Sequence, residues 1–473
     1  MKEYIKLAWR NIWRNKRRTL ITAASIFFAV IIAIIMRSFQ IGSYDHMIHN
    51  VVETYTGYIQ VQDKNYWGKK TINNTFMFSD SMHDIISRTK NIREVYPRIE
   101  SFALASSGNA TKGAFVMGIV PEKEDHMTNA SQRIVQYQVT KKITDQLIEE
   151  GSFSEKVIGK IRALNGESFT SEQDLEKVLY QENSIPTKTA DQIKQRASLE
   201  GSYLRSGENE VLVAEKLAQF LNIAVGDTLI LISQGLHGIS ASGLFPVKGI
   251  IKLPNPELNR SFIYMPLSTA QSFYSAQNRL TSLAINLHDQ EDKALMRIKE
   301  ELQEKLDMQQ FAVKDWKEMN PELVQQIQSD NASGKLMIGV LYLIIGFGIF
   351  STVLMMTAER RREFGVMVAI GMKKLKLSGI VITELIFIGL LGLLSGMLVS
   401  MPLVLLGYYN PIRLKGDLAA SMESFGMEPV MPLAMIDTYY LNQAWVVVAI
   451  ILVIMIYPVI NILRMKAIDA LRA

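Results

Sequence analysis

The stretch TLITAASIFFAVIIAIIMRSFQI, residues 19–41, decides the fold class of this chain because it is long and almost entirely apolar. Its one charged residue, Arg37, lies near its far end. A helix of this length crosses the ~30 Å hydrocarbon core of a bilayer, since each residue adds about 1.5 Å. Three more stretches of the 473 residues meet the same criterion, namely 336–358, 377–406 and 444–463. The sequence therefore predicts a membrane protein with four transmembrane α-helices.

Lysine and arginine cluster on alternate sides of these four stretches. Residues 1–18 carry seven of them, residues 359–376 carry six and residues 464–473 carry three. Basic loops stay on the cytoplasmic side of a membrane, which is the positive-inside rule. We therefore expect both termini and the 359–376 loop to be cytoplasmic. Residues 42–335 and 407–443 are then extracytoplasmic.

Charge is sorted between the two sides of this predicted membrane. Residues 43–333 carry 31 basic and 37 acidic side chains, whereas the rest of the chain carries 20 and 9. The basic excess belongs to the flanks of the apolar stretches, so a pI near 9.0 does not indicate nucleic acid as a partner. The absence of cysteine excludes disulfides, but the exported block is long enough to be stable from core packing.

Few residue patterns in this sequence point to catalysis. It contains no GxxxxGK[ST] motif, so we expect no phosphate-cradling loop in the chain itself. Asp45, His49 and Glu53 recur every four residues, but a solvated helix gives the same spacing as a metal site. We therefore predict that the chain is not an enzyme and binds no metal or cofactor.

The N-terminal segment, residues 1–18, is amphipathic at helical spacing. Basic residues recur every fourth position, and apolar residues that include two tryptophans share another face. Such a helix is expected to lie in the inner-leaflet interface with its indoles at headgroup depth. The alternative is a charged flank that only sets topology.

The exported block, residues 42–335, is predicted to be a large α+β domain. Residues 51–62 alternate like a strand and residues 80–91 have a helical pattern. The stretch 130–202 departs from this pattern because much of it is polar, helix-prone and poor in aromatics. We interpret it as an inserted subdomain or arm.

The loop after the second apolar stretch has an unusual sequence, AERRREFGVMVAIGMKKLK, at residues 358–376. Its apolar positions predict a short helix that Gly371 ends, with lysines after the C-terminus. Such a helix at the inner surface suits docking into a groove on a cytosolic partner. A positively charged hairpin that only fixes topology gives the same composition, and composition alone does not separate the two.

This loop resembles the cytoplasmic signature of the FtsX/MacB-like ABC transporter permeases. The matching residues are Glu359, Arg360, Arg362, Glu363, Gly365, Ala369 and Gly371. Residues 7–18 are similar to that family's opening helix and residues 457–472 to its closing segment. The run 248–271 looks most like the lipoprotein-releasing, LolC/LolE-type branch. Residues 130–200 depart from the family pattern.

The resemblance implies a permease that works by mechanotransmission, with a MacB-like periplasmic core between the first and second spans. It implies pairing with a second copy or a paralogue, and a separate cytosolic P-loop ABC ATPase dimer that binds ATP and Mg. The implied cargo is a lipoprotein or lipid taken from the outer leaflet and passed to a periplasmic acceptor. The implied ATPase-coupling residues are Glu359, Arg360, Arg361, Arg362, Glu363, Gly365, Ala369 and Gly371.

Two other activities found in such a family remain alternatives for this chain. One is an FtsX-type transducer that activates an extracytoplasmic cell-wall hydrolase without transport. In that case the 130–202 insertion is the partner-binding arm. The other alternative is MacB-like efflux of hydrophobic compounds.

Small and charged residues within the spans predict two kinds of contact. Gly389, Gly392 and Gly396 offer a close-packing face on the third span, although glycine is also common in membrane helices. Glu384 is expected to pair with a basic residue near the inner surface, the alternative being a functional carboxylate. Arg37 either reaches the outer headgroups or lines an opening for a lipid-anchored substrate.

Overall fold

The computed structural model describes residues 10, 14, 16–151, 153–180, 185–414, 416–424 and 429–465. The predicted amphipathic helix of residues 1–18 lies largely outside the described residues, as does the C-terminal tail from residue 466. The chain divides into two compact units. One contains Met1–Met47, Glu322–Leu418 and Pro429–Ala473, and the other contains Ile48–Pro321 and Ala419–Glu428.

The first unit is built from four apolar helices, which confirms the predicted number of spans. The first helix is Lys16–Ile48, the second is Pro321–Glu359 and the third is Lys374–Tyr409. The fourth consists of Thr438–Ile454 and Ile456–Arg464. The interruption at Met455 precedes Pro458, which has no amide hydrogen to donate to Ile454. Shorter elements near these helices include the helix Arg361–Ala369, the strands β14 (Ile412–Arg413) and β15 (Val430–Met431) and the helix Asp417–Ser424.

Apolar side chains from all four helices form one core in this unit. Ile26 and Val30 of the first helix meet side chains of the other three, including Val353, Leu385 and Val447. The third helix is the most enclosed of the four, whereas much of the second helix exposes leucine, isoleucine and phenylalanine side chains. Exposed apolar side chains are ordinary on a helix that faces lipid or another membrane helix.

The second unit is an α+β domain, as predicted. Its strands are β1 (Ile59–Asp63), β2 (Phe76–Met77), β3 (Ile92–Ser106), β4 (Thr111–Ile119), β5 (Tyr137–Gln138), β6 (Ser168–Phe169), β7 (Val211–Ala214), β8 (Thr228–Gln234), β9 (Ser240–Ile251), β10 (Phe262–Pro266), β11 (Arg279–Leu280), β12 (Ser282–Leu287) and β13 (Phe311–Asp315). Its α-helices are Asp80–Arg88, Pro121–Thr128, Lys141–Glu150, Glu155–Ala163, Glu172–Tyr180, Thr187–Ala197, Glu215–Leu221, Pro256–Asn259, Leu267–Phe273, Asp292–Lys305 and Trp316–Met319.

Nine of these strands form one sheet in the order β13-β1-β12-β3-β4-β10-β7-β9-β8. The end of β3 also pairs with β8, Leu104 opposite Ile232, so the six strands from β3 to β8 close on themselves. We call this closed part the barrel. Its inner face is filled by apolar side chains such as Ala105, Val116 and Leu231. The long strand β3 is shared, because its first half pairs with β12 and its second half with β4.

The polar stretch near 130–202 contains a subdomain with its own core. Four helices, Lys141–Glu150, Glu155–Ala163, Glu172–Tyr180 and Thr187–Ala197, surround buried side chains that include Leu147, Leu175 and Ile193. Strands β5 and β6 form a separate two-stranded sheet. The charged residues face outward, and this explains why the sequence of the stretch is so polar.

The prediction of a strand over residues 51–62 was partly wrong. The segment His49–Thr56 is a π-helix, and only Ile59–Asp63 is a strand. Gly57 ends the π-helix with φ +73°, a conformation that side chains with a Cβ avoid. The alternating pattern of residues 51–56 coincides with the buried residues of this helix, which are Val52, Thr54 and Thr56.

Candidate coupling site

A short helix, Arg361–Ala369, lies between the second and third helices. Gly371 ends it at φ +102°, with its amide bonded to Val368 O and the amide of Met372 bonded to Met367 O. These two bonds form a Schellman motif, in which glycine is favoured because of the positive φ. The structure therefore places the helix stop at the residue that the sequence indicated.

Arg360, directly before the short helix, is buried. Its Nη1 lies 2.6 Å from Glu384 Oε2, and the two side chains are only 8% and 2% exposed. Its Nε lies 3.4 Å from Glu363 Oε2, and its guanidinium lies over the Phe364 ring at 5.4 Å. The basic partner expected for Glu384 is thus present. Arg360 itself does not face outward, so its predicted role in ATPase coupling would be exerted through Glu384.

Glu363 joins this buried pair to the N-terminal segment. Arg14 Nη2 donates to both carboxylate oxygens of Glu363 at 2.8 Å. About half of each side chain is exposed, so this outer bond contributes at most about 1 kcal/mol to stability. Sequence reasoning placed Arg14 among the basic residues of an interfacial helix and missed this contact, which no local pattern reveals. The charges of Arg14, Glu363, Arg360 and Glu384 nevertheless form one connected series.

The opposite side of the short helix is exposed and combines charge with apolar area. Arg361 and Arg362 are exposed, Val366 is partly so and Ile370 is 82% exposed. Leu375, just beyond the Schellman motif, is also exposed. Exposed apolar side chains beside arginines are typical of protein-docking surfaces. We call Arg361, Arg362, Val366, Ile370 and Leu375 the outer face.

The other predicted coupling residues divide between the two sides. Glu359 and Ala369 are exposed, whereas Gly365 is buried next to the buried Phe364. Beyond the loop, Lys374 Nζ donates to the carbonyl of Leu463 at 3.0 Å, near the end of the fourth helix. A lysine there satisfies a terminal helix carbonyl and complements the helix dipole.

The three glycines of the third helix make close contacts with two neighbouring helices. A Cβ at Gly392 would lie 2.6 Å from Ala23 O, and one at Gly396 would lie 2.9 Å from Val30 Cβ. A Cβ at Gly389 would instead lie 3.0 Å from the side chain of Ile451. The three glycines lie on one side of the helix, and this side contacts two helices, because Gly389 packs against the fourth helix and the other two pack against the first. These contacts hold the third helix between its neighbours.

Arg37 belongs to a polar cluster between the first and second helices. Its Nη1 donates to Gln40 Oε1 at 2.6 Å and to Asn331 Oδ1 at 3.2 Å. Asp330 accepts from the Tyr44 hydroxyl at 2.6 Å and, through its carbonyl, from Gln40 at 3.1 Å. Arg37 therefore links two helices, whereas the sequence predicted contact with headgroups or the lining of an opening.

The predicted alternatives of a metal site at His49 and a substrate pocket at Glu384 can be compared with the described residues. Among the residues that the structure describes, no group of three or more histidines and carboxylates is arranged to hold a metal ion. His49 instead pairs with Glu53 at 2.7 Å. Between the helices, a cavity lined by Thr22, Ile349 and Leu385 among others has a volume of about 10 Å³, no more than one water occupies. Glu384 is not among the residues that line this cavity.

In chain order, the described residues thus contain four helices apolar enough to cross a membrane, with an α+β domain between the first and second and a short basic helix between the second and third. Residues 335–467 match the FtsX-like permease C-terminal family, and the chain carries this permease domain. The matched segment includes the outer face and the Arg360–Glu384 pair.

Individual relatives match shorter parts of the chain. The lipoprotein-releasing system transmembrane protein LolC of Xylella fastidiosa is 19% identical over 200 residues, which is 41% of this chain and 48% of LolC. The macrolide export ATP-binding/permease protein MacB of Mannheimia succiniciproducens is 28% identical over 153 residues, 31% of this chain and 23% of MacB. The chain thus matches about half of the length of one relative and about a quarter of the other.

Two solved structures were also found. The periplasmic region of MacB from Actinobacillus actinomycetemcomitans has a TM-score of 0.30 at 14% identity, covering 60% of this chain and 98% of that structure. The extracellular domain of the noncanonic ABC-type transporter YknZ from Gram-positive bacteria has a TM-score of 0.28 at 10% identity. It covers 55% of this chain and 100% of that domain.

Proposed function

We propose that this chain is the permease subunit of an ABC transporter that uses mechanotransmission. A separate cytosolic ATPase dimer, with its own ATP and Mg, drives it. It extracts a lipoprotein or lipid-like substrate from the outer leaflet of a bacterial inner membrane. Both termini and the short helix are cytoplasmic, and the α+β domain is periplasmic. A second copy or a paralogue completes the permease, and a periplasmic acceptor takes the product.

The observation that carries this proposal is the short helix with its two unlike sides. Its outer face offers arginines and exposed aliphatic side chains to a partner. Its inner side is tied through Arg360 to Glu384, inside the third helix. A partner that moves the outer face therefore also moves a membrane helix. This is the arrangement that transmission from a cytosolic ATPase requires. The LolC and MacB relatives supply the substrate classes to be tested.

Native mass spectrometry of the chain, purified with its neighbours from its own membrane, tests the proposal. We expect two ATPase copies, two permeases and a bound acylated polypeptide or lipid. An ATPase assembly with a bound macrolide-like compound and no acylated species would instead indicate efflux. Absence of any ATPase would contradict the proposal.

A second candidate is signalling to a cell-wall hydrolase, and one observation favours it. The subdomain around Lys141–Ala197 has its own hydrophobic core, so it has the independence expected of a partner-binding arm. Replacing residues 138–197 by a short linker separates the two candidates. Under signalling, the hydrolase partner is lost while the ATPase remains bound. Under transport, acylated cargo is still found with the shortened permease.

A further inference from the structure

The entry into the α+β domain is unusual because it is a π-helix. The segment His49–Thr56 follows the first helix directly in the chain, and Gly57 N bonds to Val52 O at 2.7 Å, five residues back. π-Helices are rare and are found mainly at functional positions, since they cost more than the α-helix they replace. This segment therefore needs contacts from the domain that hold it in this form.

A buried arginine supplies one of these contacts. Arg98, in the middle of β3, is fully buried, and Glu124 is 2% exposed. Arg98 Nη2 lies 2.5 Å from Glu124 Oε1 and Nε lies 3.1 Å from Glu124 Oε2, so the pair is bidentate. The remaining Nη1 donates to the carbonyl of Tyr55, in the last turn of the π-helix. The guanidinium therefore bridges a strand of the barrel, the helix Pro121–Thr128 and the entering segment.

Three further contacts hold the same turn. The Tyr55 ring packs edge-on against Phe115 of β4 and Phe262 of β10, with centroids 6.1 and 5.8 Å apart. Gln60 Nε2 donates to the carbonyl of Thr56 at 2.6 Å. Carbonyls in the last turn of a helix lack partners within that helix, and here two of them are bonded by side chains of the domain.

Stability alone does not account for a charged pair at this position. Burial lowers the pKa of Arg98, but Glu124 more than offsets this and the net shift is upward, so the arginine stays charged. An apolar pair of similar volume is often as stable as a buried ion pair, because desolvation cancels much of the attraction. Aliphatic side chains, however, cannot hold the carbonyl of Tyr55. The charged pair therefore does one thing that an apolar pair cannot do, which is to hold the π-helix in position.

We propose that Arg98 is a positioning residue that fixes the π-helix to the barrel, so that displacement of the first helix moves the barrel with it. The proposal rests on the mechanotransmission proposed above and names the joint at which it enters the exported domain. Glu124 orients the guanidinium, and Tyr55 is the residue that is held. Without Arg98, the segment His49–Thr56 absorbs the displacement locally.

The full chain allows a direct test because it contains no cysteine. Spin labels at His49→Cys and Ser242→Cys mark the exposed side of the π-helix and an exposed position on β9. In lipid nanodiscs without ATP we expect a single narrow distribution of distances between the two labels. The paired substitution Arg98→Met with Glu124→Leu should abolish this single narrow distance. It should also speed hydrogen exchange of the amides of residues 51–57.

The controls separate positioning from folding. Lys248→Met removes a different domain ion pair, with Glu208 and Glu210, and should leave the distance narrow. Arg98→Lys keeps a charge beside Glu124 but lacks the planar fork that reaches Glu124 and the Tyr55 carbonyl together, so it should keep the thermal stability close to that of the unmodified chain without giving the narrow distance. A narrow distance in the paired variant, or broadening in the Lys248→Met control, would overturn the proposal.

Adding the co-purified ATPase and ATP tests the proposed function in the same samples. The pair His49→Cys with Ser242→Cys reports the joint between the π-helix and the barrel. A second pair, Asp45→Cys with Ser242→Cys, reports displacement of the first helix. We expect ATP to shift the second distance only when Arg98 is present. If ATP shifts neither distance in the labelled chain that keeps Arg98, the proposed mechanotransmission fails. The result without ATP still decides the role of Arg98.

Discussion

Arg360 and Glu384 lie 24 residues apart in the chain and 2.6 Å apart in the structure, one before the short helix and the other within the third helix. Glu384 Oε1 has no hydrogen-bond partner among the described residues, so Arg360 carries most of the compensation for this buried carboxylate. The pair makes the position of the short helix depend on that of the third helix. A substitution that removes it tests this dependence directly.

Arg360→Met should therefore destabilise the permease strongly. Removing one partner of a buried ion pair leaves an uncompensated charge, which costs about 3–5 kcal/mol. Adding Glu384→Leu should recover most of this loss, while ATPase coupling stays low because the short helix is no longer tied to the third helix. Thermal unfolding in detergent measures the first effect, and ATPase stimulation by the permease measures the second. Arg14→Met, at a half-exposed pair, is the control and should change stability by less than about 1 kcal/mol.

Gly392→Ala should also destabilise the apolar unit. The added methyl group would lie 2.6 Å from Ala23 O, a backbone atom that cannot move aside without shifting the first helix. Overpacking of this kind costs about 1–3 kcal/mol. Gly348→Ala is the matched control, because a Cβ there meets nothing within 4 Å. Equal unfolding temperatures for the two variants would contradict the close contact.

Ile370→Asp should abolish ATPase binding without unfolding the permease. Ile370 is the most exposed side chain of the outer face and makes little contribution to the core. Pull-down of the ATPase, with the unfolding temperature as a check on folding, measures the effect. Met77→Asp changes a similarly exposed apolar side chain on the α+β domain and should leave ATPase binding intact. Retention of the ATPase by Ile370→Asp would show that the partner docks elsewhere.

Gly371→Pro should uncouple the ATPase in the same assay. Gly371 has φ +102°, whereas proline requires a φ near −65°, so the Schellman motif cannot form. The short helix then loses its defined end, and the outer face loses its geometry. Gly379→Ala, within the third helix, is the control because a Cβ there meets nothing within 4 Å. Full coupling in Gly371→Pro would contradict this role of the short helix.

Acid should loosen the segment of residues 202–210 on the α+β domain. Its hydrogen bond from Lys248 lowers the pKa of Glu208 from the ordinary value of 4.5. A carboxylate whose pKa is lower in the folded state stabilises the fold above its unfolded pKa, and this contribution is lost as the pH falls through the folded pKa. Hydrogen-exchange protection factors for these amides should therefore fall below about pH 4.5. In Lys248→Met they should already be low at pH 7, and equal protection in both proteins would contradict the ion pair.

Much of the architecture was predictable because it depends on composition over long stretches. Four apolar runs with alternating basic flanks require membrane helices, and Gly371 between an apolar run and lysines marks a helix end. The presence of a basic partner for Glu384 was predictable, since a carboxylate inside a span needs one. Which residue is that partner was not predictable, because Arg360 is followed by two exposed arginines. Only the turn before the short helix directs Arg360 inward.

The contacts of the α+β domain were less predictable because they join distant parts of the chain. Arg98 lies in a strand whose sequence gives no sign of Glu124 or of the Tyr55 carbonyl. The π-helix has a side-chain pattern that also fits a strand, and packing of Tyr55 against Phe115 decides between them. Arg98 has one indication in the sequence, which is a charge among apolar positions of a long strand.

The subdomain around Lys141–Ala197 leaves and rejoins the barrel domain at one place. Tyr137 and Ser198 face each other in an isolated antiparallel bridge, and Leu199 N bonds to Gln136 O at 2.8 Å. Its two ends are therefore about 5 Å apart. Any module with neighbouring termini fits between them without changing the strand order of the barrel. This position is thus an exchange point, where related permeases can acquire a new recognition module by a single recombination event while the transmission machinery stays intact.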